Sequence, residues 1–453
     1  MPRNTLMYNR ANRFRTRACF GAVTVMLAFA AATTPAAQPA GMSDSDRRTA
    51  YQMLDGVHRA IEAHYFDPTF KGHDLAALAS TAKDRIGKAN TVADALAAIA
   101  QFELELDDLH TTFNPPWLSV ASDYGWQMGI VGSDCYVIAV DPKSDAARQG
   151  VVVGEQVKAV NGFVPTRANL WRLEYLFNAL HPLPGLHADL VSPAGQARTL
   201  DLDAKVHAMH AVLDISSASS GMDWSRIERA NEKYWMRLEP VTVRSIPDVL
   251  LIRMPSFLLT AGEVRRRFHD LHGRAALVLD LRGNPGGAGE ALNELLGELY
   301  ADDFTLGTRI HRSAKTPWVV KGTGKNAYTG RVMVLVDAQS ASASELFARA
   351  MQLTDRGTVI GDTTSGAVME ANEIPLEVNS GENVVVYGTS VTVSDVEMSD
   401  HGRLEKSGVT PDFIVLPTAQ DMSVGRDPAL AQALKFVGHP MDATAAAKLY
   451  AAP

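Results

Sequence analysis

The chain has 453 residues, of which 46% are hydrophobic and 21% are charged, and its formal net charge is -8 at pH 7. This length allows two or three domains with sizeable cores, and the composition is typical of a soluble globular protein. An acidic chain lacks the basic surface on which nucleic-acid binding depends, so we exclude nucleic acid as a partner.

The first forty residues have the pattern of a secretory signal peptide. Five arginines at positions 3 to 17 precede an uncharged apolar run from Ala18 to Ala32, and small residues and prolines follow to Ala40. Because this run is shorter than the ~20 residues that a membrane span needs, a cleaved signal is favoured over a transmembrane anchor. We therefore predict a signal peptide over residues 1–40, export to the periplasm or the medium, and no stable membrane span after cleavage.

The cysteines give no sign of a metal site. Cys19 lies within the predicted signal, which leaves Cys135 alone in the rest of the chain. One cysteine cannot form an internal disulfide, and no cysteine–histidine spacing suggests structural zinc. Cys135 lies in the apolar run CYVIAV, which favours a buried structural thiol. We predict no metal and no cofactor.

Residues 43–117 are predicted to form a small helical domain. Apolar residues recur at helical spacing in a first helix, and two helices rich in alanine and leucine are predicted over 76–86 and 92–106. The domain ends at the segment LDDLHTTF, which contains His110 directly after two acidic residues and a leucine. Asn114 and two prolines then break the chain.

Residues 124–206 change to short strands and tight turns. The segment GIVGSDCYVIAVDPKSDAARQGVVVGEQVKAVNG predicts two strands, a short helix, a turn at Gly150, a further strand and a hairpin turn at Asn161 and Gly162. This order resembles a PDZ domain, with Glu155 where that family usually has aspartate. The resemblance implies a groove that binds an extended polypeptide, often by its C-terminus, as an added strand.

Residues 207–245 are irregular and are predicted to connect this domain to a catalytic core at residues 246–437. The core alternates the strands VLLIRMPSF, AALVLDL, RVMVLVD and TVIG with helices predicted over 261–271, 290–300 and 343–353. Such alternation, with nearly continuous apolar strands, predicts an α/β layer around a largely parallel sheet.

Two loops at strand ends are candidates for chemistry. The loop DLRGNPGGAGE (280–290) contains closely spaced glycines that let backbone N–H groups approach a ligand, but it lacks the residues of a phosphate loop. The loop QSASASE places Ser340, Ser342 and Ser344 between a strand and a helix, beside the positive end of the helix dipole. Serines at such turns are usually helix caps, although the same position would give a serine nucleophile a ready oxyanion site.

The two loops together resemble the C-terminal processing (tail-specific) serine peptidase family. The paired segments are LVLDLRGNPGG and DAQSASASELFARAMQ, and YQMLDGVHRAIEAHYFDP, LLIRMPSF, GDTTSG and GVTPDFIVLPTAQDMSVGRDPAL also match. The resemblance covers nearly all of the chain after the signal and implies a crotonase-like (ClpP/crotonase) α/β core. It also implies Ser342 as the nucleophile, with the backbone N–H groups of Gly286 and Ala343 as oxyanion donors.

The general base distinguishes two branches of this family. The serine–lysine branch carries its lysine in a TFGKG segment, whereas this chain reads TTSGAVM, with Ala367 at the lysine position and no lysine between Ser342 and Lys406. The other branch, which resembles the core of tricorn protease, takes a histidine from the helical N-terminal region. The match of LDDLHTTF implies His110 as the base.

In that branch a glutamate in an E-x-x-G-V-x-P-D setting orients the histidine, which implies Glu405 in LEKSGVTPD. Leu109 stands where the tricorn pattern has a serine that bridges histidine and glutamate, so this chain departs from the pattern there. Asp108, Thr111 or Thr112 could replace the serine, and Asp108 could also act directly on the imidazole.

The sequence therefore predicts an exported serine endopeptidase that acts on polypeptides through an acyl-enzyme on Ser342, with His110 as general base. Two alternatives stay open at this stage. One is an inactive or weakly active homologue that binds peptides or other ligands, which the Leu109 departure favours. The other is an esterase-like hydrolase with the same serine chemistry.

Overall fold

The computed structural model describes residues 42–116, 120–208, 241–380 and 383–450. The predicted signal peptide (1–40) and most of the predicted connector (209–240) lie outside these ranges. Within them, no helix combines the length and the apolar character that a membrane span requires.

The described chain begins with three helices, α1 (Asp44–His64), α2 (Leu75–Lys88) and α3 (Val92–Leu104). The side chains of Ser43, Asp74 and Thr91 each accept a hydrogen bond from a first-turn N–H group, which satisfies a donor that the helix leaves unpaired. The apolar faces of these helices pack in one cluster with Tyr387 and Val391 from much later in the chain. The helical region and the C-terminal half therefore share a core.

A β-rich unit follows two short strands, β1 (Thr112–Asn114) and β2 (Val120–Asp123). Its strands are β3 (Trp126–Val131), β4 (Asp134–Val140), β5 (Gln156–Val160), β6 (Gly185–Val191) and β7 (Ala197–Asp203), with β8 (Lys205–Ala208) pairing β2. Its helices are α4 (Asp145–Arg148) and α5 (Leu170–Tyr175), which continues as a π-helical turn, Leu176–Leu180. Strands β3 to β7 pair in that order, each antiparallel to the next. Cys135 is buried in this unit, and burial raises the pKa of its thiol to about 12.

The remaining described residues contain two sheets. The strands are β9 (Thr242–Ile246), β10 (Val249–Arg253), β11 (Ala276–Asp280), β12 (Phe304–His311), β13 (Lys315–Val320), β14 (Arg331–Val336), β15 (Thr358–Gly361), β16 (Glu370–Ser380), β17 (Asn383–Met398) and β18 (Phe413–Ile414). The helices are α6 (Ala261–Phe268), α7 (Gly289–Gly297), α8 (Ala343–Leu353), α9 (Ala419–Ser423), α10 (Pro428–Phe436) and α11 (Ala443–Ala447).

The first sheet has the strand order β18-β15-β14-β11-β10-β9 and is parallel from β10 to β18. Alternate residues of its central strands pack on α6, α7 and α8 on one face and on α10 and α11 on the other. Burial on both faces explains the nearly continuous apolar runs of the sequence. Because β11 and β14 are parallel neighbours, the loops after them meet at one edge of the sheet.

The second sheet is antiparallel and is built on the long strand β17. Strand β17 pairs β16 over most of its length, pairs β12 near its C-terminal end, and pairs β1 from Thr112↔Ser390 to Asn114↔Gly388. The short β1 pairing fixes the segment that precedes it, including His110, against the C-terminal half of the chain.

The β-rich unit contacts the loop after β15 through one buried carboxylate. Asp362 accepts a hydrogen bond from the Gly132 N–H at 2.7 Å and one from Arg167 Nη2 at 3.0 Å. Arg167 also donates to the carbonyl oxygens of Thr363 (2.7 Å) and Gly132 (2.9 Å). Since Asp362 is 8% exposed, this charge depends on Arg167 for much of its compensation.

Replacing Arg167 with methionine should destabilise the protein by about 1–3 kcal/mol, because the buried Asp362 carboxylate loses its cation. Arg148→Met is the matched control, since Arg148 is exposed and pairs with Asp145 within one turn of the same unit; it should cost less than about 1 kcal/mol. Urea unfolding followed by circular dichroism measures both. Equal effects of the two variants would contradict the importance of the Asp362 contact.

Candidate active site

Ser342 lies at the turn between β14 and α8 in a strained backbone conformation, with φ 55° and ψ -119°. Its N–H group donates to the Ala367 carbonyl at 2.8 Å and to Glu345 Oε2 at 3.0 Å, which holds the turn in place. The N–H group of Ala343, the first residue of α8, has no acceptor among the described residues. The turn therefore presents a partly exposed hydroxyl next to an available N–H at the positive end of a helix.

The two neighbouring serines have structural contacts instead. Ser340 Oγ donates to the Leu281 carbonyl at 2.9 Å, and Ser344 Oγ donates to the Asn284 carbonyl at 3.1 Å. Both serines are fully buried. Of the three hydroxyls, the one on Ser342 is the one that a substrate could reach.

The glycine-containing loop after β11 lies directly against the Ser342 turn. The Ala341 N–H donates to the Asn284 carbonyl at 2.9 Å, which joins the two loops. At Gly286, where φ is 95°, a Cβ would come within 2.6 Å of Ser342 Cβ and 3.0 Å of Ala343 N. Only glycine allows this close approach.

The N–H group of Gly286 is engaged within its own loop. It donates to Asn284 Oδ1 at 2.8 Å, while Asn284 Nδ2 donates to the Met254 carbonyl at 2.7 Å. The next N–H group, that of Gly287, has no acceptor among the described residues. For Gly286 to bind an oxyanion, its N–H must therefore exchange Asn284 Oδ1 for the substrate oxygen.

The segment that contains His110 is held by the buried carboxylate of Asp108. Asp108 Oδ1 accepts from the N–H groups of His110 (2.8 Å) and Thr111 (3.1 Å) and from Thr392 Oγ1 (2.8 Å). Its other oxygen accepts from the Tyr65 hydroxyl at 2.9 Å. Asp108 thus orders the backbone on either side of the imidazole and ties it to β17.

Thr111 has a similar anchoring role. Its hydroxyl donates to Thr392 Oγ1 and accepts from the Thr392 N–H, each at 3.1 Å, and the side chain is fully buried. These contacts use the Thr111 hydroxyl within the sheet. As sequence-predicted orienters, Asp108 and Thr111 therefore act on the backbone of the His110 segment.

Glu405 lies behind the segment that follows Ala367. Its Oε2 accepts from the Val368 N–H at 2.9 Å and the Met369 N–H at 3.3 Å, and its Oε1 is buried without a hydrogen-bond partner among the described residues. Burial raises the pKa of Glu405 to about 7, and the charges of Asp108 and Glu345 also raise it. This carboxylate is therefore close to both the His110 segment and the Ser342 turn.

Residues 367–369 join the parts of the site. Ala367 receives the hydrogen bond from the Ser342 N–H, and the next two N–H groups donate to Glu405. Lys406, beside Glu405, forms a hydrogen-bonded ion pair with Asp107, three residues before His110. The fold thus brings together the elements that carry Ser342, Glu405 and His110, although they are far apart in sequence.

Glu345 is a site residue that was not selected from the sequence. It is fully buried, and its carboxylate accepts four hydrogen bonds, from Thr364 Oγ1 (2.6 Å) and from the N–H groups of Gly366 (2.7 Å), Ala367 (2.8 Å) and Ser342 (3.0 Å). Burial raises its pKa, and these hydrogen bonds oppose that shift. The spacing S-x-x-E across the start of α8 was the available signal, because it is typical of a helix N-terminus.

Replacing Glu345 with glutamine should displace the Ser342 turn, because an amide nitrogen cannot accept the hydrogen bonds that one carboxylate oxygen now receives. We expect a loss of about 1–3 kcal/mol in the free energy of unfolding and slower covalent labelling of Ser342 by a fluorophosphonate. Glu290→Gln, an exposed acid in the first turn of α7, is the control and should change stability by about 0.5 kcal/mol at most. Wild-type labelling kinetics in Glu345→Gln would contradict this role.

The raised pKa of Glu405 predicts a pH dependence of stability. Between pH 4.5 and about 7 the native state keeps a proton that the unfolded chain has lost, so the free energy of unfolding falls as the pH rises through this window. Glu405→Gln removes this contribution. From pH 5 to pH 8 the free energy of unfolding should fall less in this variant than in the wild type, and the difference between the two falls should be up to about 3 kcal/mol. Urea unfolding at both pH values measures the difference, with Glu62→Gln on the exposed face of α1 as control. Parallel pH profiles for Glu405→Gln and the wild type would contradict the shift.

Residues 248–415 match the family described as Peptidase family S41. This range contains both candidate loops and Glu405, whereas His110 lies before it. The Carboxyl-terminal-processing protease of Synechocystis sp. is 31% identical over 167 residues, which are 36% of this chain and 37% of that protein. The Carboxyl-terminal-processing peptidase 2, chloroplastic, of Arabidopsis thaliana is 25% identical over 372 residues, 78% of this chain and 66% of that protein.

The chain therefore spans little more than a third of the first of these relatives and just under two thirds of the second. Among solved structures, mature CPAF aligns with a TM-score of 0.62 and 15% sequence identity, over 83% of this chain and 94% of that one. At this identity the similarity is one of fold, here a mixed α/β fold.

Proposed function

We propose, on the premise that residues 248–415 are a peptidase family S41 region, that this protein is an exported serine endopeptidase that hydrolyses peptide bonds in polypeptides. Ser342 is the nucleophile and His110 the general base. The observation that carries the proposal is the strained Ser342 turn, which lies against the Gly286 loop and is joined through residues 367–369 to Glu405. The names of the relatives support a C-terminal processing activity.

The reaction is an acyl transfer in two steps. His110 accepts the Ser342 proton as the hydroxyl oxygen attacks the peptide carbonyl, and then protonates the leaving amine. The oxyanion is bound by the Ala343 N–H and by the Gly286 N–H, which leaves Asn284 Oδ1 as the substrate oxygen arrives. Each such donor contributes on the order of 3 kcal/mol to lowering the barrier. Water, activated by His110, then hydrolyses the acyl-enzyme.

Glu405 stabilises the imidazolium that forms on His110. Its buried Oε1 has no hydrogen-bond partner among the described residues and is the available acceptor of this carboxylate. The serine that would bridge the two groups is replaced by Leu109, so Asp108 takes over the ordering of the segment through the His110 N–H. The placement of His110 beside Glu405 therefore depends on hydrogen bonds to the backbone of the His110 segment. The tricorn pattern uses a bridging serine side chain instead.

A serine–histidine mechanism is favoured over a serine–lysine dyad by the surroundings of Ser342. Ala367, at the position of the dyad lysine, is 6% exposed, and its N–H donates to Glu345. Lys406, the first lysine after Ser342 in the sequence, is paired with Asp107. We therefore assign this chain to the serine–histidine branch.

The finer domain organisation is part of the same proposal. We assign a signal peptide to residues 1–40, a helical domain to 43–117, a PDZ-like domain to 124–206, a connector to 207–245 and a crotonase-like core to 246–437. The antiparallel β3–β7 sheet with α5 beside it supports the PDZ-like assignment, and the parallel β10–β15 layers support the core. The PDZ-like domain binds the C-terminus of the substrate polypeptide.

Ser342→Ala and His110→Ala test the assignment. Each should reduce hydrolysis of casein by at least about 1000-fold, because removal of either group stops acyl transfer. A fluorophosphonate should label the wild type at Ser342 and should fail to label Ser342→Ala. Ser344→Ala is the matched control, because its hydroxyl is used by the Asn284 carbonyl, and it should keep labelling.

Undiminished casein hydrolysis in either alanine variant would refute the corresponding role. Absence of labelling in a folded wild-type protein would favour the non-catalytic binding protein. Hydrolysis of a p-nitrophenyl ester without hydrolysis of casein would favour the esterase.

A further inference from the structure

Arg309 lies beside the continuation of both chain segments that contact Ser342, which are residues 367–369 and the Gly286 loop. Arg309 in β12 and Glu370 at the start of β16 lie on one face of the second sheet, on either side of β17. Arg309 Nε donates to both carboxylate oxygens of Glu370 at 3.0 Å. Since Glu370 directly follows residues 367–369, this ion pair fixes Arg309 next to the first of the two segments.

The same side chain reaches the start of α7, which follows the Gly286 loop. A Cβ placed on Gly289, the first residue of α7, would lie 3.7 Å from Arg309 Nη2. Gly289 comes three residues after Gly286, which lies against Ser342. Arg309 is therefore at most about 21 Å from Ser342, a distance that about six extended residues of a bound polypeptide span.

Arg309 is held in one orientation by an aromatic ring. Its guanidinium carbon lies 3.5 Å from the centroid of the Trp318 ring. Trp318 is 2% exposed, and its Nε1 donates to Asn293 Oδ1 of α7 at 2.7 Å. Because the guanidinium is stacked on a buried indole and paired with Glu370, it loses little conformational entropy when it binds a ligand.

The rest of this guanidinium is available to a ligand. Arg309 Nη1 and Nη2 make no hydrogen bond with a described residue, and neither atom is buried. Their N–H groups form the planar fork that matches the two oxygens of a carboxylate. Next to them, Ala288 precedes α7 without a side-chain cap, so the first-turn N–H groups of this helix add partial positive charge.

These groups favour an anion with paired oxygens. A guanidinium and an uncapped helix terminus both attract negative charge, and the fork favours a carboxylate over a single hydroxyl or carbonyl oxygen. Glu290, exposed in the first turn of α7, opposes this attraction and limits the strength of binding. The C-terminal carboxylate of the substrate is assigned above to the PDZ-like domain, which leaves acidic side chains as the source of the carboxylate.

We propose that Arg309 is a specificity-determining residue, which binds an aspartate or glutamate side chain of the substrate within about six residues of the cleaved bond. The stacked, half-used guanidinium beside the Gly286 loop is the observation that carries this proposal. The inference rests on the proposed function, because it takes the substrate to be a polypeptide that is cleaved at Ser342.

The test digests dephosphorylated casein with the wild-type protein and with Arg309→Met, and mass spectrometry identifies the cleaved bonds. At one position near these bonds, aspartate and glutamate should be enriched in the wild-type digest and not in the Arg309→Met digest. Two internally quenched peptides, amidated at the C-terminus, then differ only by glutamate or glutamine at that position. The ratio of their kcat/KM values should be about 10-fold in the wild type, the effect of one charge-assisted hydrogen bond, and below about 2-fold in Arg309→Met.

Arg349→Met is the matched control. The side chain of Arg349 is 28% exposed, against 25% for Arg309, and it is also paired with an acid, Asp400. The preference for glutamate should persist in this variant. Circular dichroism checks that each variant is folded. Arg309→Lys, which keeps the charge and loses the fork, should lower the ratio to about 3-fold and serves if Arg309→Met is not folded.

Three results would overturn this role of Arg309: no acidic preference at any position in the wild type, a preference unchanged in Arg309→Met, or equal losses of kcat/KM for the glutamate and glutamine peptides. Equal losses would mean that Arg309 only supports the site. Hydrolysis of casein by the wild type without an acidic preference would refute this inference alone, whereas absence of both hydrolysis and fluorophosphonate labelling would refute the proposed peptidase.

Discussion

The arrangement of this molecule depends on the pairing of β1 with β17. Three residues of β1 pair with Gly388 to Ser390, and just before them Asp108 and Thr111 bind Thr392 through buried hydrogen bonds. A hydrogen bond to a carboxylate is stronger than one between neutral groups, so the bond from Thr392 to Asp108 contributes most to this contact. Together with the packing of the helices on Tyr387 and Val391, this short contact holds the segment that carries His110 against the C-terminal half of the chain.

The second constraint is the conformation of Ser342. A positive φ at a serine costs on the order of 1–3 kcal/mol and persists only where the surroundings enforce it. Here the Ala367 carbonyl and the Glu345 carboxylate both take the Ser342 N–H, and Glu345 is itself fixed by Thr364 and Gly366. A fully buried carboxylate with four donors is therefore used to hold a backbone turn. Ser342 is positioned by its neighbours' hydrogen bonds more than by its own conformational preference.

Several parts of this arrangement could be predicted from the sequence. The apolar runs of β11 and β14 and the periodicity of α8 identified the two loops, because burial on both faces leaves an obvious pattern. The second sheet was not predicted, since β16 contains Pro375 and the pairing of β1 with β17 joins residues distant in sequence. The hydrogen bond from Gly286 to Asn284 depends on a side-chain rotamer, and the burial of Glu345 depends on tertiary contacts. Spacing along the chain reports neither.

The shared core of the helical region and β17 has a consequence for folding. Helices α1 to α3 are synthesised first, yet Tyr387 and Val391, against which they pack, come some three hundred residues later in the chain. Loops of this length close slowly, so these contacts form late. A nascent or partly folded chain therefore holds its serine and its histidine on separate, unjoined parts. The proposed active site can therefore assemble only after the chain has been synthesised as far as β17.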